Sequence, residues 1–178
     1  AMLIAFDPPL AAPHWPLGVS VRCMRRVEDD EALVGAYRDA FKDHYGYIEQ
    51  PFERELARWQ GWMGEDDFDP TLWFLAIDGE EVCGYCCCFA SAHGDEGIGL
   101  VDELGVRPAW RRRGIASALL HHAFIELERR GYHGASLSVD SESNTGADRL
   151  YERAGMKPIR RSHTYVKELR PGVDLVTQ

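Results

Sequence analysis

The part of this sequence that most constrains the fold runs from an apolar strand through a basic, glycine-containing turn into a long amphipathic helix. Residues 98–106 are largely apolar, and Pro108 ends the segment because proline cannot donate to a strand ladder. Beyond the turn, apolar residues such as Ile115 and Leu119 recur at helical spacing, which predicts a helix over residues 111–130. A strand that leads directly into a helix predicts helices packed against a sheet.

Further strands and helices are predicted on either side of this unit. Asp78-Gly79 between two apolar runs predicts a hairpin. Shorter helices are predicted after the acidic residues 28–30, after Pro51 and after Asn144. This order of elements predicts a mixed sheet with helices on both faces. The predicted strands comprise residues 19–25, 72–77, 82–90, 98–106, 135–139 and, as two short strands, 157–169.

The chain is predicted to hold one folded domain between two short flanking segments. Its 178 residues suit one domain, and an apolar fraction of 45% is enough to build a core. Residues 1–18 are rich in proline and alanine and show no period, so we expect an N-terminal arm or linker there. We assign residues 19–170 to the domain and residues 171–178 to a C-terminal tail.

Charge and cysteine content exclude several functional classes. The formal net charge of −9 argues against a dedicated nucleic-acid binder, which would carry a basic balance. No apolar run is long enough for a membrane span, and the first ten residues lack the basic start of a signal peptide. Four of the five cysteines lie within residues 83–88, which makes a poor disulfide framework. We therefore expect a cytoplasmic protein with no metal, in which these cysteines are small core residues.

The basic turn before the long helix has the chemistry of a phosphate site. The N-terminus of a helix offers unpaired backbone N–H groups and the positive end of its dipole. Gly114 would allow phosphates to approach closely, and Arg111, Arg112 and Arg113 would add charge-assisted contacts. The alternative is an exposed basic helix start. The phosphate loops of nucleotide triphosphatases and of dinucleotide-binding folds both require glycine patterns that this sequence lacks.

A second informative stretch lies near the end of the predicted domain. Ala147, Leu150, Tyr151 and Ala154 are spaced so that they share one helix face, which places Tyr151 on the buried stripe. Tyr151 could serve chemistry there, or it could be a core tyrosine whose hydroxyl lies at a polar edge.

Together the two stretches resemble the GNAT superfamily of N-acetyltransferases over about residues 19–169. The resemblance implies an α+β GNAT fold: a mixed, mostly antiparallel twisted sheet of six to seven strands with about four helices on both faces. Met156 stands where phenylalanine is common in the family. The matching residues are Arg111-x-x-Gly114-x-Ala116 and Asn144-x-x-Ala147-x-x-Leu150-Tyr151-x-x-x-Gly155.

The resemblance also implies a set of residues that bind acetyl-CoA as acyl donor. The main chain of Leu104 and Val106 would pair with the pantetheine arm, and the Leu104 N–H would point at the thioester carbonyl. Asn144 would contact the cofactor near that arm, and Tyr151 would protonate the departing thiolate. The pyrophosphate would lie on the loop residues Arg111, Arg112, Arg113, Gly114, Ile115 and Ala116.

The general base is the point at which this sequence departs from the family. Several members carry a glutamate four residues before the position of Leu104, where this chain has Leu100. Alternation along a strand would put Asp102 on the face of Leu100 and Leu104, so Asp102 is our first candidate and Glu103 the second. Further candidates are His44, His93 and Tyr165.

Two functional hypotheses follow. In the first, the chain moves an acetyl group from acetyl-CoA to a primary amine, either a small amine or a peptide N-terminus. In the second, it is an acyl-CoA-binding sensor or scaffold without turnover. No nucleic-acid or membrane partner is expected, and a homodimer is left open. Residues that could line the acceptor side are Phe41, His44, Tyr45, Trp59, Trp73 and Tyr165.

The segment around His44 carries a second, more specific resemblance. The residues Ala40-Phe41-x-x-His44-Tyr45-Gly46 are similar to a segment in the C-terminal halves of tandem GNAT proteins of the mycothiol-synthase type. In such tandem proteins only one half need be catalytic.

Overall fold

Seven strands and four helices make up the part of the chain that the computed structural model describes, namely residues 1–7, 9–44, 46–91, 95, 97–139, 146–163, 165 and 167. The strands are β1 (Met2–Ala5), β2 (Val19–Cys23), β3 (Trp73–Asp78), β4 (Glu81–Phe89), β5 (Ile98–Val106), β6 (Gly134–Leu137) and β7 (Lys157–Pro158). The helices are α1 (Asp30–Phe41), α2 (Phe52–Trp62), α3 (Ile115–Arg129) and α4 (Ala147–Arg153).

All seven strands belong to one mixed sheet with the order β2-β3-β4-β5-β6-β1-β7. Neighbouring strands are antiparallel except β5 and β6, which run parallel because α3 connects them as a crossover. The α+β fold predicted from the sequence, with a mostly antiparallel sheet of six to seven strands and four helices, is confirmed.

The helices cover both faces of the sheet. Adjacent residues of a strand point to opposite faces. In β3, the Trp73 ring meets Trp59 of α2 at 5.7 Å, and the next residue, Phe74, meets His122 of α3 at 4.8 Å. Strands β3 and β4 are therefore buried on both sides, which explains their nearly continuous apolar sequence.

The cysteines of β4 are part of this core. Cys83, Cys86, Cys87 and Cys88 are all buried and carry free thiols. They fill space between the two helical layers as small apolar residues, as the sequence predicts. Within the described residues, no cluster of histidine, cysteine and carboxylate side chains could hold a metal ion, and none of the helices is both long and apolar enough to cross a membrane.

The first eighteen residues do not form the arm that we predicted. Met2–Ala5 is a strand of the sheet, inserted between β6 and β7, and Met2 is buried. Farther along, the Trp15 ring contacts His122 of α3 at 6.3 Å. The prediction was wrong because the high proline content of residues 8–16 masked a short apolar strand whose partners lie near the other end of the chain.

The C-terminal part also differs from the prediction. Two strands were expected over residues 157–169, and the described residues of this range form one, β7, which is two residues long and pairs with β1. Residues 159–163, 165 and 167 have no regular secondary structure. Residues 164, 166 and 168–178, including the predicted tail, lie outside the described part.

The acidic start of α1 is held by local hydrogen bonds. Asp29 accepts two from the Arg22 guanidinium, at 2.6 and 2.7 Å, and one from the Arg25 N–H at 2.7 Å. Asp30 accepts from the Val27 N–H at 2.9 Å. This turn holds Val27 at a φ of 75°, an unusual conformation for a β-branched residue.

Candidate functional site

The site begins where β5 and β6 separate. Their parallel ladder comprises three pairs, from Ile98 opposite Gly134 to Leu100 opposite Ser136. Strand β5 continues along β4 to Val106. Among the described residues, the second half of β5 thus has no strand partner on its β6 side. This leaves a gap with an open main-chain edge, which suits an extended ligand.

Alternation of the main chain identifies the groups that face this gap. The Arg107 N–H donates to the Cys83 carbonyl at 3.0 Å, so Arg107 faces β4. Successive residues of a strand turn their N–H and C=O groups to opposite edges, so Val106 and Leu104 face the gap. The Val106 carbonyl indeed accepts from a group outside β4, the Nε of Arg111, at 3.1 Å. The main-chain groups that face the gap are therefore those of Leu104 and Val106, the two residues named in the sequence analysis. Their role toward a cofactor stays a prediction.

A β-bulge interrupts β5 at Asp102. Cys87 of β4 pairs with Glu103, but the next residue, Cys88, pairs with Val101. Asp102 is the extra residue, and its side chain is exposed. Bulges of this kind re-aim side chains and are frequent next to active sites.

The bulge reverses the alternation on which our choice of Asp102 depended. Leu100, opposite Phe89, and Glu103, opposite Cys87, lie on one face because Phe89 and Cys87 are two residues apart in β4. Leu104 lies on the other face. The expectation that Asp102 shares a face with both Leu100 and Leu104 is therefore wrong, and Glu103 shares the face of Leu100.

Glu103 is a partly buried carboxyl among aromatic groups. Burial raises its pKa to about 7, the Asp102 charge acts in the same direction, and Arg58 opposes both. Burial also raises the pKa of Tyr37, Tyr85 and Tyr151, and the charge of Glu103 adds to the effect at each. Three tyrosine hydroxyls thus lie within electrostatic reach of one carboxyl that titrates near neutrality.

Tyr151 occupies the buried stripe of α4, as its spacing predicts. It is 9% exposed, and Ala154 beside it is 8% exposed. Burial raises the pKa of its phenol to about 12, and the charge of Glu103 acts in the same direction. The hydroxyl therefore keeps its proton at any working pH.

The loop after β5 turns sharply before α3 begins. A 3-10 turn covers Pro108–Trp110, and α3 begins at Ile115 rather than near Arg111. Arg112 and Gly114 both have positive φ, of 62° and 88°. A Cβ on Gly114 would meet no protein atom within 4 Å, so its backbone conformation is what requires glycine there.

The arginines of this loop have different partners. Arg111 holds the Asp43 carboxylate at 2.5 and 2.9 Å and the Ala40 carbonyl at 2.8 Å, which ties the loop to the end of α1. Arg113 donates to Asp78 at 3.2 Å. Arg112 has no ion-pair partner among the described residues. The guanidinium groups of Arg111 and Arg113 are thus engaged within the protein, whereas we expected all three to face a phosphate.

A cleft of about 480 Å³ opens beside this loop, between β5, α3 and α4. Four arginines and no carboxylate line its described part, although acidic residues outnumber basic ones, 29 to 20, in the whole chain. Two of the four, Arg149 and Arg153, were not predicted from the sequence, although their spacing of four residues on the exposed side of a helix was a usable signal. The lining residues are Val106, Trp110, Arg111, Arg112, Gly114, Ile115, Ala116, Ser117, Gly146, Arg149, Leu150 and Arg153.

The remaining sequence candidates have mixed outcomes. Trp59 and Trp73 were expected to line an acceptor surface, but both are completely buried core residues. His44 packs its ring against Phe41 at 4.9 Å, and Tyr165 is 91% exposed. Three candidates lie outside the described residues: Tyr45, His93 and Asn144. The helix that Asn144 was expected to cap begins at Ala147, with Gly146 at the capping position.

Comparison with known proteins points to one family. The family model described as acetyltransferase (GNAT) family matches residues 31–156. A mycothiol acetyltransferase from Streptomyces scabiei is 38% identical over 155 residues, which are 86% of this chain and 47% of the relative. One from Thermobispora bispora is 37% identical over 83% of this chain and 49% of the relative. The chain thus spans about half the length of the curated relatives it matches.

Solved structures show the same relationship. A GCN5-related N-acetyltransferase from Sphaerobacter thermophilus is 39% identical, with a TM-score of 0.73 over 88% of this chain and 46% of that one. An aminoglycoside N-acetyltransferase in complex with CoA shares the fold, with a TM-score of 0.63 at 18% identity over 91% of this chain and 99% of that one. On the combined ground of its fold, its motifs and these similarities, this chain belongs to the GNAT family of acetyltransferases.

Proposed function

We propose that this chain transfers an acetyl group from acetyl-CoA to a primary amine by direct attack of the amine on the thioester. The proposal rests on three features that occur together. They are a cleft lined by arginines with no carboxylate in its described lining, the open edge of β5, and a carboxyl with a pKa near 7 on that strand. Each matches one part of the chemistry.

The cleft and the open edge suit the donor. The backbone N–H groups from Arg112 to Ala116 and the N-terminus of α3 would bind the diphosphate, because anions are stabilised at a helix start. The main chain of Leu104 and Val106 would pair with the pantetheine arm as an added strand does. These contacts would bring the thioester to the part of the gap nearest Tyr151.

The transfer needs a base, an oxyanion donor and an acid. As the amine nitrogen attacks the thioester carbon, Glu103 takes the proton that the nitrogen loses. The Leu104 N–H donates to the oxyanion of the tetrahedral intermediate, a contact worth roughly 10²–10³ in rate. When the intermediate collapses, the C–S bond breaks, and Tyr151 gives its proton to the sulfur. The products are an amide and CoA. Glu103 then releases the proton it took to solvent, and Tyr151 regains one from solvent, which restores both groups.

The two proton transfers support each other. While Glu103 is ionised, its charge helps to keep the Tyr151 pKa high. Once Glu103 has taken the proton of the amine, that charge is gone, and Tyr151 becomes a stronger acid just when the thiolate leaves. The base thus assists the acid electrostatically as well as serving the amine.

Glu103 is preferred to Asp102 as the base for three reasons. It lies on the face of Leu100, where the family carries its glutamate, whereas Asp102 is the exposed residue of the bulge. Its raised pKa near 7 suits a base that works at neutral pH. Its neighbours include the half-buried Tyr37 and the guanidinium of Arg58, which donates to the Tyr37 hydroxyl at 3.4 Å.

The names of the relatives indicate which amines to test first as acceptors. Those relatives are mycothiol acetyltransferases, and this chain matches about half of each. The test is to incubate the protein with acetyl-CoA and a set of amines, the amine precursor of mycothiol first and peptide N-termini second. CoA thiol release and a mass gain of one acetyl group on an amine are expected. Acetyl-CoA binding without transfer to any amine would favour the alternative function, a non-catalytic acyl-CoA sensor or scaffold, which the leucine at position 100 would suit.

A further inference from the structure

Two arginines of α4 line the cleft without a carboxylate partner. Arg149 and Arg153 are four residues apart, so they lie one turn apart on the same side of the helix. Among the described residues, neither takes part in an ion pair, and the same is true of Arg112 across the cleft. By contrast, Arg111 and Arg113 each have an aspartate partner.

Such a concentration of unpaired positive charge favours binding of an anionic ligand. Guanidinium groups that face one cleft repel each other, and a bound polyanion removes that repulsion. Arginine also binds phosphate oxygens through two parallel N–H groups, which a single lysine does not do. The chain has a net charge of −9, whereas the described part of this cleft holds three arginines without a carboxylate partner, so the cleft is locally positive.

The ligand carries two separate anionic groups. This step depends on the proposed function, in which the ligand is acetyl-CoA. Its diphosphate is matched by the backbone N–H groups of the loop and by the start of α3, on one side of the cleft. The second anionic group is the phosphomonoester on the ribose 3′ oxygen, which has up to two negative charges at neutral pH. The arginines of α4 lie on the other side of the cleft.

We propose that Arg149 and Arg153 form a subsite for the 3′-phosphate of acetyl-CoA, so that the protein distinguishes CoA from 3′-dephospho-CoA. Arg112, on the loop itself, serves the diphosphate. The apolar lining residues Ile115 and Leu150 then face the uncharged part of the ligand.

Calorimetric titration with CoA and with 3′-dephospho-CoA tests the subsite. The wild-type protein is expected to bind CoA at least about tenfold more tightly than the dephospho form, since charge-assisted contacts to phosphate are strong. Arg149→Ala and Arg153→Ala should each weaken CoA binding by about tenfold and leave dephospho-CoA binding unchanged. Arg149→Lys should recover part of the loss. Arg54→Ala, which removes an exposed arginine of α2 that does not line the cleft, is the control for net charge and should change neither affinity.

Other outcomes overturn the subsite. If both variants lose affinity equally for the two ligands, the α4 arginines serve the diphosphate instead. If neither variant loses affinity for CoA, they serve no phosphate. If the wild-type protein binds neither ligand, the proposed donor itself is wrong, and the subsite is rejected with it. These results are distinguishable because each ligand is titrated into each variant.

Discussion

At the scale of single residues, the β-bulge at Asp102 decides on which face of the sheet the neighbouring carboxyl group of Glu103 lies. Without the bulge, Asp102 would share the face of Leu100, and Glu103 would lie on the opposite face. With it, Glu103 shares the face of Leu100 and becomes partly buried, while Asp102 is exposed. Two adjacent carboxylates thereby acquire different environments, and burial raises the pKa of Glu103 to near neutrality.

Substitution of the two carboxylates separates their roles. Glu103→Gln should lower kcat/KM by about 10²–10⁴, the usual contribution of a general base. Asp102→Asn should lower it by less than about threefold, because an exposed group at the bulge holds no proton of the reaction. The measurement is acetyl transfer by both variants under saturating acetyl-CoA. Equal losses, or a larger loss in Asp102→Asn, would return the base to Asp102.

The same carboxyl predicts how the proposed acetyl transfer by the wild-type protein depends on pH. The base works only when ionised, so activity should be low where Glu103 is protonated and should rise through about pH 7. In a pH–rate profile of kcat/KM, the wild-type protein should therefore reach a plateau above that value. A wild-type profile that is flat from about 1.5 pH units below this pKa to about 1.5 units above it would contradict the assignment.

Tyr151 has a separate test at this scale. Because the phenol holds its proton up to a pKa of about 12, it can give that proton to a thiolate but cannot act as a base. Tyr151→Phe should reduce kcat by well over tenfold and leave the acetyl-CoA dissociation constant nearly unchanged. Tyr132→Phe, on a tyrosine that follows α3, is the matched control. Unchanged turnover in Tyr151→Phe would remove the residue from the mechanism.

Val27 illustrates strain that is unrelated to the site. It has a φ of 75° and is 78% exposed, so its side chain contributes little packing to offset an unfavourable backbone. Val27→Gly should raise the free energy of unfolding by about 1 kcal/mol, measured with urea, because glycine adopts this conformation freely. Val27→Ala should give a smaller gain, since alanine keeps the Cβ that causes the strain. A destabilised glycine variant would contradict the explanation.

At the scale of elements, the site depends on how a loop is fastened between a strand and two helices. Arg111 binds the Val106 carbonyl at the end of β5 and the Ala40 carbonyl at the end of α1, with Asp43 as its counter-ion. The guanidinium thus keeps the loop in place before any ligand arrives. Such preorganisation increases affinity without a direct contact to the ligand.

Loss of the counter-ion should loosen this fastening. Asp43→Asn is expected to weaken acetyl-CoA binding by about threefold to tenfold in calorimetry, with a small effect on stability because the pair is partly exposed. Asp66→Asn, an exposed aspartate beyond α2, controls for the change of charge. Tighter binding in Asp43→Asn would mean that Arg111 is free to reach the phosphates, and the fastening role would be wrong.

The elements also show what the sequence could predict and what it could not. The bounds of β5 were predicted correctly because a largely apolar run ends shortly before Pro108, a residue that the interior of a strand does not tolerate. The buried stripe of α4 followed from helical spacing alone. The bulge at Asp102 could not be predicted, because it depends on register with β4 rather than on any local pattern.

Long-range pairing explains the other failures. Met2–Ala5 is recognised as a strand only beside β6 and β7, which lie at the far end of the chain. Arg111 was expected to contact phosphate because nothing local indicates its aspartate partner, 68 residues earlier. Sequence patterns therefore predicted the elements and the motifs of the site, whereas pairing across the fold decided which side chains are available to a ligand.

At the scale of the whole molecule, the charge distribution distinguishes the cleft from the rest of the surface. A chain with 29 acidic and 20 basic residues has a cleft with four arginines and no carboxylate in its described lining. An acidic surface would disfavour polyanions elsewhere and direct them to this cleft. Acetyl-CoA affinity should accordingly fall with rising salt concentration.

The claim on which every later step depends is that this cleft binds acetyl-CoA. Its most direct test is thermal unfolding with acetyl-CoA, with CoA and with ATP as a phosphate-bearing control. A ligand present at 100 times its dissociation constant adds roughly 2.7 kcal/mol to the free energy of unfolding, which raises the melting temperature measurably. We predict a clear increase with acetyl-CoA and with CoA and little with ATP. No increase with either CoA compound would show that the cleft is not a cofactor site, and the proposed acetyl transfer would be wrong.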